Sequence, residues 1–273
     1  MGKTAWVFPG QGSQYLGMGR SIVEADSGAR ALLDRASELL GYDLAALCWE
    51  GPEEKLKQTE YTQPALLTVS TMLGSILNAN GLVPDVVAGH SLGEYSALVA
   101  AGSLDFETAV NLVARRGRLM EEAVPEGRGT MAVLLGLDYE QVVSICREAA
   151  QGEVVEPANL NCPGQIVISG HRKAVERAMA LGREQGARRV VELDVSGPFH
   201  SSLMRPAAEI FAEDLAGAAL RDPQVPVIAN ATADYVQEAA EIRKVLVKQL
   251  YSPVRWEETI QRLISHGVDT FIE

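Results

Sequence analysis

Ser91 lies in the segment Gly89-His90-Ser91-Leu92-Gly93, with a glycine two residues to either side of it. A short apolar run, residues 85–88, precedes the segment, and an Ala- and Leu-rich run, residues 92–101, follows it. A serine between a buried strand and a helix, flanked by glycines that allow a tight turn, is typical of a nucleophile elbow. The turn would place the hydroxyl at a helix N-terminus, where backbone N–H groups stabilise negative charge. The alternative interpretation is a structural turn without chemistry.

A serine hydroxyl is a weak nucleophile until a base takes its proton, and the chain has four histidines that could do so. His90 adjoins Ser91 and cannot easily fold back onto it. His171 begins one predicted helix and His266 ends another, where an imidazole interacts favourably with the helix dipole. His200 is left, in a loop at residues 196–201 that would border a cleft, the usual place for a site. Without the serine motif, His200 would be interpreted as a capping or core residue.

Arg116 lies on the predicted helix 106–120, at the edge of the apolar stripe that recurs every three or four residues. Arg115 and Arg118 lie on the opposite, solvent-facing side. A guanidinium on a buried face needs a partner, because an unpaired buried charge is very costly. The partner is either an internal Asp or Glu or the carboxylate of a substrate bound next to Ser91.

A glycine-rich loop, residues 8–14, follows the first predicted strand. It lacks the lysine of a phosphate-binding P-loop and the spacing of a dinucleotide-binding loop. At the carboxyl end of a sheet such a loop can offer a backbone N–H to an oxyanion, and Gln11 and Leu92 are the candidate donors. The alternative is a tight turn and nothing more.

The order of predicted elements indicates an α/β protein with a hydrolase-like core and an inserted small subdomain. Up to residue 125, apolar strands and amphipathic helices are expected to alternate, as in a mainly parallel sheet covered on both faces. Residues 127–196 follow the order β-α-β-β-α-β of a ferredoxin-like unit. Its predicted elements are strand 130–135, helix 138–150, strands 154–160 and 165–169, helix 172–185 and strand 188–195. The large core then comprises residues 1–126 and 197–273, where strands 225–230 and 268–272 and helices 239–250 and 256–266 are expected.

Composition limits the classes of partner. The 273 residues are 47% hydrophobic and carry a formal net charge of −12, which argues against nucleic acid or an anionic membrane as the main partner. Three widely spaced cysteines have no metal-ligand spacing and suit a reducing compartment. We find no signal peptide and no apolar run long enough to span a bilayer. We therefore expect a cytoplasmic monomer without a metal site.

Six motifs, in order along the whole chain, resemble those of the malonyl-CoA:acyl carrier protein transacylases of bacterial type II fatty acid synthesis. They are PGQGSQ at residues 9–14, GHSLGEYSAL around Ser91, RRGRLMEEAVP around Arg116, NCPGQ at residues 161–165, GPFHSSLM around His200 and QLYSPVRW around Gln249. The resemblance implies acyl transfer from malonyl-CoA to the phosphopantetheine thiol of acyl carrier protein, without a further cofactor. Members of this family continue past the last strand, so we expect this chain to be shortened.

The resemblance also implies a role for each matching residue. Ser91 would be the nucleophile and His200 the base, with the backbone carbonyl of Gln249 in place of the usual carboxylate. Gln11 and Leu92 match the oxyanion donors, and Arg116 matches the arginine that binds the malonyl carboxylate. Asn161 and Gln165 are expected to form the small-subdomain wall of the cleft. Phe199 before His200 resembles the Phe-His pair associated with malonyl rather than methylmalonyl units.

Three other functions remain open at this point. A trans-acting malonyl acyltransferase of a polyketide synthase would share nearly every motif. A serine thioesterase or other hydrolase would use the same nucleophile and base with water as acceptor. An inactive carrier-binding scaffold would lack a covalent intermediate on Ser91.

Overall fold

The computed structural model describes residues 2–125 and 127–273. Met1 and Glu126, the two ends of the first predicted core segment, lie outside the described residues. The strands are β1 Lys3–Phe8, β2 Val86–Gly89, β3 Gly129–Leu135, β4 Val155–Cys162, β5 Gln165–His171, β6 Arg189–Glu192, β7 Val227–Ala229, β8 Asp234–Val236 and β9 Val268–Ile272. The α-helices are α1 Arg20–Ala25, α2 Ser27–Leu40, α3 Leu44–Glu50, α4 Glu53–Leu56, α5 Thr59–Ala79, α6 Gly93–Ala100, α7 Phe106–Glu122, α8 Tyr139–Ala150, α9 Arg172–Glu184, α10 Arg205–Gly217, α11 Ala239–Gln249 and α12 Trp256–Ser265.

The larger sheet has the strand order β8-β7-β2-β1-β9. Strand β1 pairs in parallel with β2 and β9, and β2 pairs in parallel with β7. Strand β2 is buried along its whole length, as its sequence Val-Val-Ala-Gly requires of a central strand covered on both faces. Only β8 is antiparallel, as the return strand of a hairpin with β7. The fold class is thus the predicted α/β class with a mainly parallel sheet.

The first half of the chain departs from the expected alternation of strands and helices. Between β1 and β2 come five successive helices, α1–α5, so the described residues before 126 contribute only two strands. The longest, α5, places residues such as Leu67 and Met72 in the core beside α7. The apolar residues of this stretch therefore form helix faces rather than additional strands.

The smaller sheet has the order β4-β5-β3-β6, with every neighbouring pair antiparallel. Helices α8 and α9 pack together, and their apolar faces share a core with this sheet around Leu134, Ile145 and Ile168. The elements occur in the predicted β-α-β-β-α-β order, although β6 ends at Glu192, short of the predicted residue 195. The division of the chain into two domains stays a prediction.

Strand β4 also contacts the larger part of the chain directly. The backbone N–H of Leu160 donates to Val254 O (2.9 Å), and the N–H of Val254 donates to Ala158 O (2.8 Å). Nearby, the Glu156 carboxylate accepts hydrogen bonds from the backbone N–H and the hydroxyl of Ser202. The first two bonds hold β4 against the segment around Val254, and the Ser202 bonds hold it against the segment that carries His200.

Within residues 2–125 and 127–273, no helix combines the length and the apolar character needed to cross a bilayer.

Candidate active site

Ser91 occupies a sharp turn between β2 and α6, as the sequence motif predicts. Its φ of 52° lies in the left-handed region, which side chains other than glycine rarely adopt. A Cβ atom on Gly89 would stand 1.9 Å from the Gly93 carbonyl carbon, and one on Gly93 would stand 2.2 Å from Phe8 O. Only glycine fits at either position, because strand, turn and helix approach one another so closely.

The Ser91 hydroxyl and the His200 imidazole are in direct contact. Ser91 Oγ lies 2.7 Å from His200 Nε2, and His200 Nδ1 lies 2.8 Å from the backbone oxygen of Gln249. A carbonyl oxygen can only accept, so Nδ1 carries the proton and Nε2 is free to accept one from Ser91. This is the contact that the sequence match of Gln249 implies; its role in orienting the ring stays a prediction.

The imidazole of His200 is held in its neutral form. Burial lowers its pKa most strongly, and the nearby Arg116 cation lowers the pKa further, to about 3. A neutral imidazole with a free Nε2 lone pair can take the Ser91 proton at physiological pH. His200 itself has a φ of 59°, so both members of the pair have left-handed backbone conformations.

Arg116 reaches the nucleophile from α7 and is fully buried. Its Nη2 donates to Ser91 Oγ (3.2 Å) and to Gln249 Oε1 (2.8 Å), and its Nη1 donates to Gln63 Oε1 (2.9 Å). Within the described residues it forms no ion pair, and its buried Nε–H has no acceptor. The expected alternative of an internal salt bridge is therefore not observed, and donors remain for a bound carboxylate.

The neighbouring arginines behave as the helix pattern predicts. Arg115 pairs with Asp214 and Arg118 with Glu60; Arg115 is partly exposed and Arg118 is exposed. Of the three arginines, Arg116 is the one whose guanidinium is buried.

Three buried side chains around the site escaped the sequence analysis: Gln63, Glu94 and Asn230. Asn230 Oδ1 accepts from the Ser91 backbone N–H (2.6 Å), and its Nδ2 donates to Gly89 O (2.7 Å), which braces the turn. Asn230 directly follows β7, the neighbour of β2, and the carboxyl ends of parallel strands meet at one edge of a sheet. The position of Asn230 points to the site only when β7 is known to be the neighbour of β2, and the sequence does not provide that strand order.

Glu94 is a carboxyl group that forms no salt bridge among the described side chains, although the charge of the nearby Arg116 acts to lower its pKa. It is 1% exposed, and burial raises its pKa to about 7. Its Oε2 accepts from the backbone N–H of Asn230 (3.0 Å) and from Gln249 Nε2 (2.8 Å).

A small cavity opens over Ser91, with a volume of about 100 Å³. A cavity of this size has room for a short acyl group. Predicted residues that line it are Gln11, Ser91, Leu92, Arg116, Phe199 and His200. Asn159, Met131 and Val195 line it as well, and they bring the small sheet to its wall.

The two candidate oxyanion donors both line this cavity. The side chain of Gln11 is anchored by a bond from its Nε2 to Thr59 Oγ1 (3.1 Å). Among the described residues, neither the Gln11 nor the Leu92 backbone N–H has a protein acceptor. Two free N–H groups beside a nucleophile are what a developing oxyanion requires.

Asn161 lies near the end of β4 and Gln165 begins β5, on either side of the turn that joins the two strands. Asn161 Oδ1 lies 2.9 Å from His90 Nε2, so it contacts the elbow but does not line the cavity; Asn159 does instead. Gln165 bonds to Cys162 within the hairpin. The substrate-binding role of Asn161 and Gln165 stays a prediction.

The site thus brings together a nucleophile, a neutral base, free N–H groups and a cation, an arrangement suited to transfer of an acidic acyl group through an ester on Ser91. Comparison with known proteins agrees with this chemistry. The profile of the acyl transferase domain family matches residues 5–273. A malonyl CoA-acyl carrier protein transacylase of Bacillus subtilis (strain 168) is 52% identical over 274 residues, covering 100% of this chain and 86% of the relative.

Solved structures give the same result. The malonyl CoA-acyl carrier protein transacylase of Coxiella burnetii superposes with a TM-score of 0.98 at 48% identity, over 100% of this chain and 86% of that one. A malonyl-transacylase solved in complex with its type II PKS acyl-carrier protein has a TM-score of 0.97 at 48% identity, over 99% of this chain and 88% of that one.

Proposed function

Because the chain belongs to the acyl transferase domain family, we propose that it moves a malonyl group from malonyl-CoA to the phosphopantetheine thiol of acyl carrier protein. The product supplies fatty acid synthesis. The observation that carries the proposal is the convergence of three side chains on one small cavity: Ser91 Oγ stands 2.7 Å from His200 and 3.2 Å from Arg116.

The first half-reaction loads the enzyme. His200 Nε2 takes the Ser91 proton as Oγ attacks the thioester carbonyl carbon. The carbonyl oxygen becomes an oxyanion that the Gln11 and Leu92 N–H groups bind, each donor being worth about 2.7–4 kcal/mol in the transition state. The C–S bond then breaks, and CoA leaves as a thiol after taking the proton from His200.

The second half-reaction repeats these steps with the carrier's thiol. His200 removes the thiol proton, sulfur attacks the malonyl-serine ester, and the serine oxygen leaves with the proton returned by His200. The chain supplies nucleophile, base and donors itself, so the proposed reaction requires no metal or cofactor. Acyl carrier protein is the macromolecular partner; a cytoplasmic monomer remains our proposal.

The specificity for a diacid is proposed to come from Arg116. A carboxylate bound by its free donors gains roughly 1.5–3 kcal/mol, the range for hydrogen bonds to charged groups. Acetyl groups lack that carboxylate and gain nothing from the cation.

Intact-mass measurement after mixing with malonyl-CoA tests the chemistry. The wild-type protein should acquire one malonyl group, whereas Ser91→Ala should acquire none. Subsequent addition of holo carrier protein should remove the group and transfer it to the carrier. Release as free malonate at the same rate without a carrier would identify a hydrolase instead.

Replacement of Arg116 tests the origin of specificity. We expect Arg116→Ala to lower the malonyl-over-acetyl ratio of kcat/KM by about 10–150-fold, the loss of a charged hydrogen bond at about 1.36 kcal/mol per decade. Arg115→Ala, which removes a partly exposed neighbour, should leave the ratio unchanged. A preserved malonyl preference in Arg116→Ala would show that another group binds the carboxylate.

A polyketide pathway is the second candidate. The malonyl-transacylase solved with a type II PKS acyl-carrier protein is 48% identical to this chain, close to the relatives named above. Kinetics with the fatty acid carrier and the polyketide carrier side by side would separate the two; the proposal expects the higher kcat/KM with the former.

A further inference from the structure

Glu94 is a buried ionisable group that the two half-reactions do not use. It is the second residue of α6, and its side chain lies below Ser91 rather than in the cavity lining. Burial of a carboxyl group that forms no salt bridge is costly, so its retention calls for a specific contact. The contact is with Gln249, whose Nε2 donates to Glu94 Oε2 at 2.8 Å.

The carboxamide of Gln249 has two different ends, and its orientation matters. Its Nε2 donates to Glu94 and to Ser91 O (2.9 Å), while its Oε1 accepts from Arg116 Nη2 (2.8 Å). A rotated amide would point its own N–H groups at the N–H groups of Arg116, which can only donate. The acceptors at Glu94 and Ser91 O therefore fix together which end of the amide faces the guanidinium, and Glu94 is the one of the two that a side-chain substitution can change.

We infer that Glu94 is a positioning residue for recognition of the malonyl carboxylate. Its oxygen holds the Gln249 amide so that the amide oxygen binds Arg116 and sets the guanidinium beside Ser91 Oγ. The inference rests on the proposed function, because it takes Arg116 to be the group that binds the carboxylate.

The effect depends on where the Glu94 oxygen lies rather than on its charge. The pKa of Glu94 is raised to about 7, so the group is partly protonated near neutral pH, and the neutral acid still has a carbonyl oxygen that accepts. Glutamine at this position would keep an oxygen at the same reach without the charge. Aspartate would keep the charge but withdraw the oxygen by one methylene.

The test compares the malonyl-over-acetyl ratio of kcat/KM in two variants. One keeps the charge at position 94 and shortens the side chain, and the other keeps the length and removes the charge. Glu94→Asp should lower the ratio at least about tenfold, because a displaced Arg116 would lose a hydrogen bond to the charged malonyl carboxylate. Glu94→Gln should keep it within about threefold of the wild type. A merely structural role would reduce activity with both substrates together and leave the ratio unchanged. Glu140→Asp, an exposed glutamate on α8, is the matched control.

Gln249→Met tests whether Glu94 acts on Arg116 through the Gln249 amide. This test remains usable even if aspartate at position 94 prevents folding. Methionine removes the carboxamide but keeps the backbone carbonyl that orients His200. This variant should lower the ratio by itself, and adding Glu94→Asp should lower it no further. An unchanged ratio in Gln249→Met, a preserved ratio in Glu94→Asp, or a collapsed ratio in Glu94→Gln would each overturn the inference.

Arg116→Ala separates this inference from the proposed function. If Arg116→Ala keeps the malonyl preference, the proposed role of Arg116 is wrong. If it loses the preference while Glu94→Asp keeps it, only the positioning role of Glu94 is wrong.

Discussion

Ser91 and His200 both have backbone conformations that cost about 1–3 kcal/mol each in a residue other than glycine. Neighbouring contacts hold both in place. Asn230 binds the backbone on either side of the turn through Ser91 N–H and Gly89 O, and Gln249 O accepts from the His200 ring. The two strained conformations, held by these contacts, therefore place Ser91 Oγ and His200 Nε2 in contact before any substrate arrives.

The depressed pKa of His200 predicts the acid limb of the pH–rate profile. A base whose pKa is lowered stays neutral as pH falls through 6.5, so kcat/KM should not decline there. Removing the Arg116 cation removes one cause of the depression, so Arg116→Ala should move the acid limb upward, toward pH 6.5. Acetyl-CoA is the substrate to use, because it makes no demand on the arginine.

Arg115→Ala controls for a general change of charge, since Arg115 is partly exposed and paired with Asp214. It should leave the acid limb in place. An acid limb at or above pH 6.5 in the wild type, or no upward shift in Arg116→Ala, would contradict the prediction.

At the residue scale, side-chain type and local pattern were enough to single out Ser91, His200 and Arg116, which the structure brings into contact; their roles stay predictions. They were not enough to find Asn230 and Glu94, whose importance comes from partners far along the chain. Asn230 is 139 residues from Ser91, and Gln249 is 155 residues from Glu94. Before the fold is known, an acid in the first turn of a helix is explained fully by the helix dipole.

The crossing of β2, the turn and α6 determines where the nucleophile lies. Gly93 packs against the backbone of β1 at Phe8 O, so this helix begins directly against the sheet. The close approach at Gly89 and Gly93 depends on how β1, β2 and α6 pack against one another.

Gly93→Ala should therefore destabilise the fold. The added Cβ would stand 2.2 Å from Phe8 O, and relieving such overpacking costs at least about 1–3 kcal/mol. Gly217→Ala is the matched control, because a Cβ on this helical glycine meets nothing within 4 Å and should change stability by less than about 1 kcal/mol. Denaturant melts of both variants check this; equal stabilities would refute the close-packing argument.

The elements of the small sheet were predictable, as were β1, β2, α6 and α7 in the first half of the chain, but the helices between β1 and β2 were not. Strands and helices of the small sheet follow turn signals and clear periodicity. The five helices before β2 pack on one another, so their apolar residues lack a simple relation to strand spacing. In the second half, helix α10 was not predicted either. Strand β8 escaped prediction because three residues with one buried side chain carry too little pattern.

At the scale of the whole molecule, a net charge of −12 requires that an acidic carrier protein dock on a locally basic surface. Arg188 and Arg189 are exposed, form no ion pair within the described residues, and lie at the start of β6. They share one end of the small sheet with the β4–β5 hairpin, since Leu135 pairs with both Arg189 and Gln165. Three strand spacings, about 14 Å, separate β6 from β4, whose Asn161 contacts the elbow.

Reversing these charges should weaken transfer to the carrier. Arg188→Glu with Arg189→Glu should raise the KM for carrier protein about tenfold or more at low salt, with the effect shrinking as salt increases. Arg147→Glu, at an exposed position on α8, changes the net charge with little expected effect. Equal KM values for the wild type and the double variant would place the docking surface elsewhere.

The bonds between β4 and the segment around Val254 have a consequence for protein engineering. The small sheet is not an independently exchangeable cassette, although its strands are contiguous in sequence. A chimaera spliced only where the chain enters and leaves that sheet would mismatch Val254, the Ser202 contact with Glu156 and the His90 contact with Asn161. Grafts meant to broaden the choice of extender unit should transplant these partners as a set.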